Sequence, residues 1–472
     1  MTAAVDSIPL TGDRARAVDD RGLMGHPRGL ALLFVVEMWE RFSYYGMRAL
    51  LVLYLVNVLK WHDADADSLY GTYTSLVYLT PLLGGYIADR FLGTRRSLVL
   101  GGVIIAAGHF ALAAETMPMF YAGLTLVVIG TGFFKPNVST MVGQLYRQGD
   151  PRRDAGFTIF YMGINLGGFI APLVCGYLAQ GPAFKHWLAS MGVDPSRSWR
   201  WGFAAAGVGM LAGLVTYVWL RDRYLPGIGL RTPGPERSKD SATAGALTPE
   251  ERRRVLALFI TFIFVMFFWV AYEQAGSSLN LFADRYTNLH VAGVTIPSSW
   301  FQSAQPLFVL LFAPVFAIAW RELGKRGLEP STCLKMALGL AIIGVGYLFM
   351  VMGGHVADSC VATHASSCSV ASPVWLASFY LFSVLGELCV SPVGLSYVTK
   401  VAPVRYAAFL MGAWFLTNAS ANKIAGMLAG ATSRVPSQTV FFMIPLAMSL
   451  GAAALMLLLV PTLKRLTQSV SA

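Results

Sequence analysis

VLALFITFIFVMFFWVAY, residues Val255–Tyr272, runs from Arg254 to Glu273 without one charged side chain. An amphipathic helix of a soluble protein shows polar groups every third or fourth position. This run does not, and about 20 such residues cross roughly 30 Å of hydrocarbon. Similar stretches lie near 30–57, 70–88, 96–114, 119–140, 155–179 and 200–220, then near 255–282, 303–320, 332–352, 372–396, 404–430 and 437–461. The pattern predicts an all-α polytopic membrane protein of 12 transmembrane helices in two six-helix bundles. Two related halves joined by a linker suit a transporter. The expected division is a segment 1–29, a bundle 30–220, a linker 221–254, a bundle 255–461 and a tail 462–472.

Composition agrees. Charged residues make up 13% of the chain and mean hydropathy is +0.57, whereas a soluble domain carries about 25% charged residues. The net charge of +11 does not indicate nucleic acid, because the bases sit in short connections on one side of the expected membrane. These are Arg90, Arg95, Arg96, Arg147, Arg152, Arg153, Arg321, Lys325, Arg326, Lys400 and Arg405, with Lys464 and Arg465 in the tail. The opposite loop 1–2 sets Asp63, Asp65 and Asp67 against Lys60. Basic loops stay cytoplasmic, so both termini are expected there. The N-terminal stretch through His26 has no apolar core of a cleaved signal. The linker, with Pro226, Pro233, Pro235 and the run Arg252–Arg254, is expected to be cytoplasmic and partly disordered, the arginines forming a solvated topology anchor.

Five cysteines lack CxxC spacing and seven histidines form no ligand pair, so neither a metal nor another cofactor is expected. Cys360 and Cys368 fall in the expected periplasmic loop 9–10, where a disulfide is permitted but two free thiols remain an alternative.

Ionisable groups inside apolar spans are expensive unless paired or facing a polar cavity. Span one holds Glu37, Glu40, Arg41 and Arg48. At about 100° per residue, Glu37, Arg41, Tyr44 and Arg48 share an arc of roughly 60°, flanked by Tyr45 and Glu40. Span four adds Lys135 before Pro136, span five Asn165, span seven Glu273 and Gln274, and span ten Glu387. Structural salt bridges are one reading. Buried pairs stabilise poorly compared with apolar packing, which favours a mechanistic use. A cavity with a cationic and an anionic end suits a zwitterion. From chemistry alone, amino acids, peptides, organic acids and zwitterionic drugs all remain open.

The segment Glu37-Met-Trp-Glu40-Arg41-Phe42-Ser43-Tyr44-Tyr45-Gly46 resembles the ExxERFxYYG signature of the proton-dependent oligopeptide transporter family of the major facilitator superfamily. Further similar segments are Gly84–Arg90, Gly132–Ser139, Asp154–Phe157 with Gly163–Gly167, Phe301–Ser303, Gly386–Leu388 with Ser391–Ser396, and Met411–Phe415. The resemblance runs from about residue 30 to 460. It implies proton-coupled symport of di- and tripeptides into the cell by alternating access through a central polar cavity. The protein would be a transporter in a bacterial inner membrane, not an enzyme, working as a monomer among lipids with protons as coupling ion.

Residue by residue, the resemblance gives Arg41, Tyr45 and Lys135 the peptide carboxylate, and Asn165 and Glu387 its amino terminus or backbone. Tyr44, Tyr78 and Trp414 would shape the cavity. Proton coupling would involve Glu37, Glu40, Arg41, Arg48 and Glu273. Arg48 and Glu273 would gate, as would Lys135 and Glu387, with Asp89 and Arg90 serving the cytoplasmic end. Two departures stand out. Gln305 replaces a common Asn, moving the amide outward by one methylene, and the linker is too short and polar for the extra helical hairpin of many bacterial members. Span two lacks a histidine, and His62 lies outside it, which leaves coupling to carboxylates.

Overall fold

A computed structural model describes residues 17–18, 20, 22, 25–147, 149–230, 247–363, 370–403 and 406–467. Residues 231–246 of the expected linker, Arg405, Cys368 and the last five residues lie outside this set. The helices are α1 Arg28–Asn57, α2 Asp63–Ile87, α3 Thr94–Leu112, α4 Met117–Gln144, α5 Arg153–Gln180, α6 Pro182–Ser190 and α7 Ser198–Tyr224. They continue as α8 Pro249–Tyr272, α9 Ser278–Arg285, α10 Ala304–Lys325, α11 Thr332–Thr363, α12 Pro373–Val401, α13 Ala407–Gly430 and α14 Gln438–Leu466. A small hairpin, β1 His290–Val291 and β2 Val294–Thr295, follows α9.

Among the described residues, nine helical stretches are long and apolar enough to cross a membrane. α1 is not one of them, and Glu37, Glu40, Arg41 and Arg48 inside it explain why. α2 and α13 are likewise diluted, the first by Thr, Tyr and Gly, the second by Asn418, Asn422 and Lys423. Apolar side chains on the outside, such as Trp219 at 81% and Leu458 at 76% exposure, have no reason to face water and mark a lipid-facing surface.

Two compact units emerge. The first holds Met1–Leu50 and Leu76–Ala242, the second Leu51–Ser75 and Thr243–Ala472. In the first, α3 packs along α4 and α7, and α5 packs on α7. In the second, α11 packs on α12 and α14, α8 on α13 and α14, and α10 on α12. The last turns of α1 and the first half of α2 therefore belong by contact to the second unit.

Local chemistry sets several ends. Gly93, at φ +76°, stops the π-helical turn Ala88–Leu92 that closes α2. α8 starts in a capping box between Thr248 and Glu251, satisfying amides a free helix start leaves open. Its first turns include Arg252, Arg253 and Arg254, so that run is helical. Asp358 accepts from the Gln438 and Thr439 amides, each at 2.9 Å, at the start of α14. Arg95 grips the end of α7 through Asp222 (2.8 Å) and the chain after it through Ile228 O (2.7 Å) and Leu225 O.

Candidate functional site

In the first unit, glycine permits the approach on which the site depends. A Cβ at Gly167 of α5 would lie 2.2 Å from Met38 O of α1, so only glycine lets these backbones meet. Asn165 of α5 is buried, and its Nδ2 donates to Tyr161 O of its own helix at 2.9 Å.

Glu37, Glu40 and Arg41 are buried together on α1, each under 5% exposed. Arg41 Nε lies 3.1 Å from Glu37 Oε1 and 2.5 Å from Glu40 Oε2. Both contacts are ionic and fall outside hydrogen-bond geometry: Arg41 Nε and Nη2, Glu37 Oε2 and both Glu40 oxygens have no hydrogen-bond partner among the described residues. Buried charged groups left short of partners mark a place where a ligand, water or proton completes the set. The Arg41 guanidinium sits 5.3 Å from the Tyr44 ring centroid and that of Arg48 5.9 Å from Tyr45. Lys135 Nζ lies 4.4 Å from the Tyr78 ring centroid, and its charge acts on Glu37. The polar face read along span one is thus a buried cluster, joined by Lys135 from α4. Asp89 and Arg90 sit in the π-helical turn, where Arg90 Nη1 donates to Tyr86 Oη at 3.3 Å.

In the second unit, α8 gives way at Glu273 to a 3-10 turn, Glu273–Gly276, before α9. Glu273 is buried there. Gln274 Nε2 donates to Ala425 O of α13 at 3.1 Å and Gln302 Nε2 donates to Ala275 O, so amide side chains serve the backbone where the helix breaks. Glu387 of α12 is 8% exposed and its Oε2 accepts from Tyr272 Oη at 2.7 Å. Sequence reasoning missed Tyr272; its one signal is a tyrosine next to Glu273 in an otherwise apolar run. Gln305 Nε2 donates to Ser383 Oγ at 3.4 Å. Trp414 is 3% exposed and packs edge-on against Phe262 and over Gly394, an aromatic core position.

Cys360 is disulfide-bonded, whereas Cys175, Cys333 and Cys389 are free; Cys368 lies outside the described residues. Among the described residues no group of three or more His, Cys, Asp or Glu could hold a metal ion.

The profile of the POT family matches residues 95–225 and 237–450. A transporter of Bacillus subtilis named YclF, itself uncharacterised, is 38% identical, with 96% of this chain and 98% of that protein covered. The peptide transporter YePEPT of Yersinia enterocolitica is 34% identical over 93% of this chain and 95% of its own. A di-/tripeptide transporter of Lactococcus lactis is also 34% identical, over 86% of this chain and 89% of its own. Among solved structures, a POT peptide transporter carrying a Glu-to-Gln mutation, in complex with alafosfalin, matches at TM-score 0.84 and 36% identity, covering 98% of this chain and 99% of its own. A POT family transporter in complex with 5-aminolevulinic acid matches at TM-score 0.82 and 30% identity, covering 95% and 99%.

Proposed function

The chain belongs to the POT family of membrane transporters, and from that premise we propose that it imports di- and tripeptides together with protons by alternating access. The observation that carries this reading is the buried Glu37–Glu40–Arg41 cluster with Arg41 Nη2 left without a hydrogen bond among the described residues. A guanidinium is the donor best shaped for a carboxylate. Two carboxylates and two bases, Glu37, Glu40, Arg41 and Lys135, balance in charge. A proton on either carboxylate leaves one positive charge to receive the carboxylate of a peptide, which ties substrate entry to protonation. Glu387, held by Tyr272, supplies an anionic group for the amino terminus. A substrate recognised by the charges of its backbone termini leaves side-chain identity loosely specified.

The names of the Yersinia and Lactococcus relatives support peptides as the substrate class. We place the protein in the inner membrane with both termini cytoplasmic and assign Arg48, Glu273, Asp89 and Arg90 to gating, on the resemblance set out above.

Uptake of labelled dialanine by purified protein in liposomes tests the proposal. Accumulation is expected under an inward proton gradient and internal negative potential, and is expected to vanish when both are collapsed or in Glu37→Gln. No uptake above empty liposomes, from folded and inserted protein, would remove dialanine import and direct attention to longer peptides and other zwitterions.

A further inference from the structure

Asp67 stands outside every role assigned above. It lies on the second turn of α2, fully withdrawn from solvent, and neither carboxyl oxygen has a hydrogen-bond partner among the described residues. One turn earlier, Asp63 takes both terminal nitrogens of Arg285, Nη1 at 2.6 Å and Nη2 at 2.7 Å. The adjacent Asp284 accepts from Asn57 Nδ2 at 2.8 Å and from Ser298 Oγ at 2.6 Å. The base beside the two carboxylates is therefore already occupied by Asp63.

The backbone around Asp67 is closed to water. A Cβ at Gly426 of α13 would lie 2.5 Å from Asp67 O, and one at Gly71 would lie 2.9 Å from Gly426 Cα. The charged groups of the elements meeting here are Asp63 and Asp65 on α2, Asp284 and Arg285 on α9, and Lys423 on α13, which donates to Thr72 Oγ1 at 2.7 Å. The last turns of α1, Leu51–Asn57, carry no charge.

An ionised carboxylate cannot persist in such a place without a donor, whereas a neutral carboxyl can. If Asp67 lost its proton, its charge would repel Asp63 and compete for Arg285, loosening the grip of α9 on α2. We propose that Asp67 is a second proton-carrying carboxyl of the transport cycle. Its protonation closes the seam of α2 with α9 and α13, and its ionisation accompanies opening of that seam to water. The inference rests on the proton-coupled reading above and adds a coupling residue to the Glu37–Glu40–Arg41 cluster.

The test uses full-length protein in liposomes, with Asp67→Asn as a permanently neutral mimic and Asp67→Glu as the conservative variant. Infrared difference spectra between neutral and alkaline buffer are expected to show a protonated-carboxyl band in the wild type that Asp67→Asn lacks. Asp67→Asn is expected to exchange labelled for unlabelled dialanine at equal pH on both sides, yet to lose proton-driven accumulation, by up to roughly fiftyfold per proton at 100 mV. Asp67→Glu is expected to restore accumulation with a displaced pH profile. Accumulation and pH profile in Asp67→Asn equal to wild type would overturn the proposal, as would equal loss of exchange and accumulation in both variants, which would mark a packing role. If the wild type itself neither exchanges nor accumulates dialanine, dialanine import fails independently of Asp67, and the infrared band alone then decides whether Asp67 carries a proton.

Discussion

At the scale of single residues, the buried charges were the most legible feature of this sequence, and their partners the least. Glu37, Glu40 and Arg41 declare themselves because ionisable groups inside an apolar run cost too much to be incidental, and the structure buries them in mutual contact. The partner of Glu387 was hidden, because Tyr272 is 115 residues away and only tertiary packing brings its hydroxyl to Oε2. Asp67 is hidden from sequence reading for a related reason. Beside Asp63 and Asp65 it reads as one more acid of a solvated loop, yet α2 begins at Asp63 and turns the third acid inward. The Tyr272 contact yields a prediction. A hydrogen bond to a charged group contributes about 1.5–3 kcal/mol to stability, so Tyr272→Phe should lower the melting temperature and, by releasing Glu387 from its set position, raise the KM for dialanine. Concentration-dependent uptake into liposomes measures this; an unaltered KM would separate Tyr272 from substrate binding.

At the scale of elements, hydropathy located the helices but not how closely they pack. Span positions follow from apolar runs of the right length, and the described helices lie where those runs are. Close approach depends on which glycine meets which backbone, and sequence alone does not say. Gly167 and Gly451 show the difference. Both sit inside helices, but a Cβ at Gly167 would press into Met38 O and Phe42 N of α1, whereas a Cβ at Gly451 meets nothing within 4 Å. Gly167→Ala should therefore push α5 from α1 and destabilise the protein by about 1–3 kcal/mol, lowering the melting temperature in detergent and displacing Asn165 with its helix. Gly451→Ala should leave the melting temperature unchanged or raise it, since alanine is the better helix former by about 1 kcal/mol. Equal melting temperatures for the two variants would show that α5 and α1 tolerate separation at Gly167.

At the scale of the whole molecule, the class is legible in the sequence and the loop charges argue for an orientation, while the grouping of the helices comes from contacts that no pattern announces. The run Leu51–Ser75 belongs by sequence to the first set of spans, yet its contacts are with Thr243–Ala472 through Gly71 against Gly426 and Asp63 against Arg285. Periodicity cannot report such pairings, because they join segments more than 200 residues apart. Orientation is different in kind, since it rests on charge in short loops. Arg90, Arg95, Arg96, Arg147, Arg152 and Arg153 in the first half, and Arg321, Lys325, Arg326 and Lys400 in the second, place one side of the membrane. Lys464 and Arg465 near the end of α14 continue the same bias. A fluorescent protein fused after Ala472 should consequently be bright in cells, because it folds in the cytoplasm, and alkaline phosphatase fused there should be inactive, because it needs an oxidising compartment. The same two reporters inserted at Ala292, in the turn between β1 and β2, should give the opposite result, that turn lying on the side away from the basic loops. Matching signals from the two positions would mean an even number of crossings between them, where α10 to α14 make five, and would dismantle the orientation on which the proposed inward transport depends.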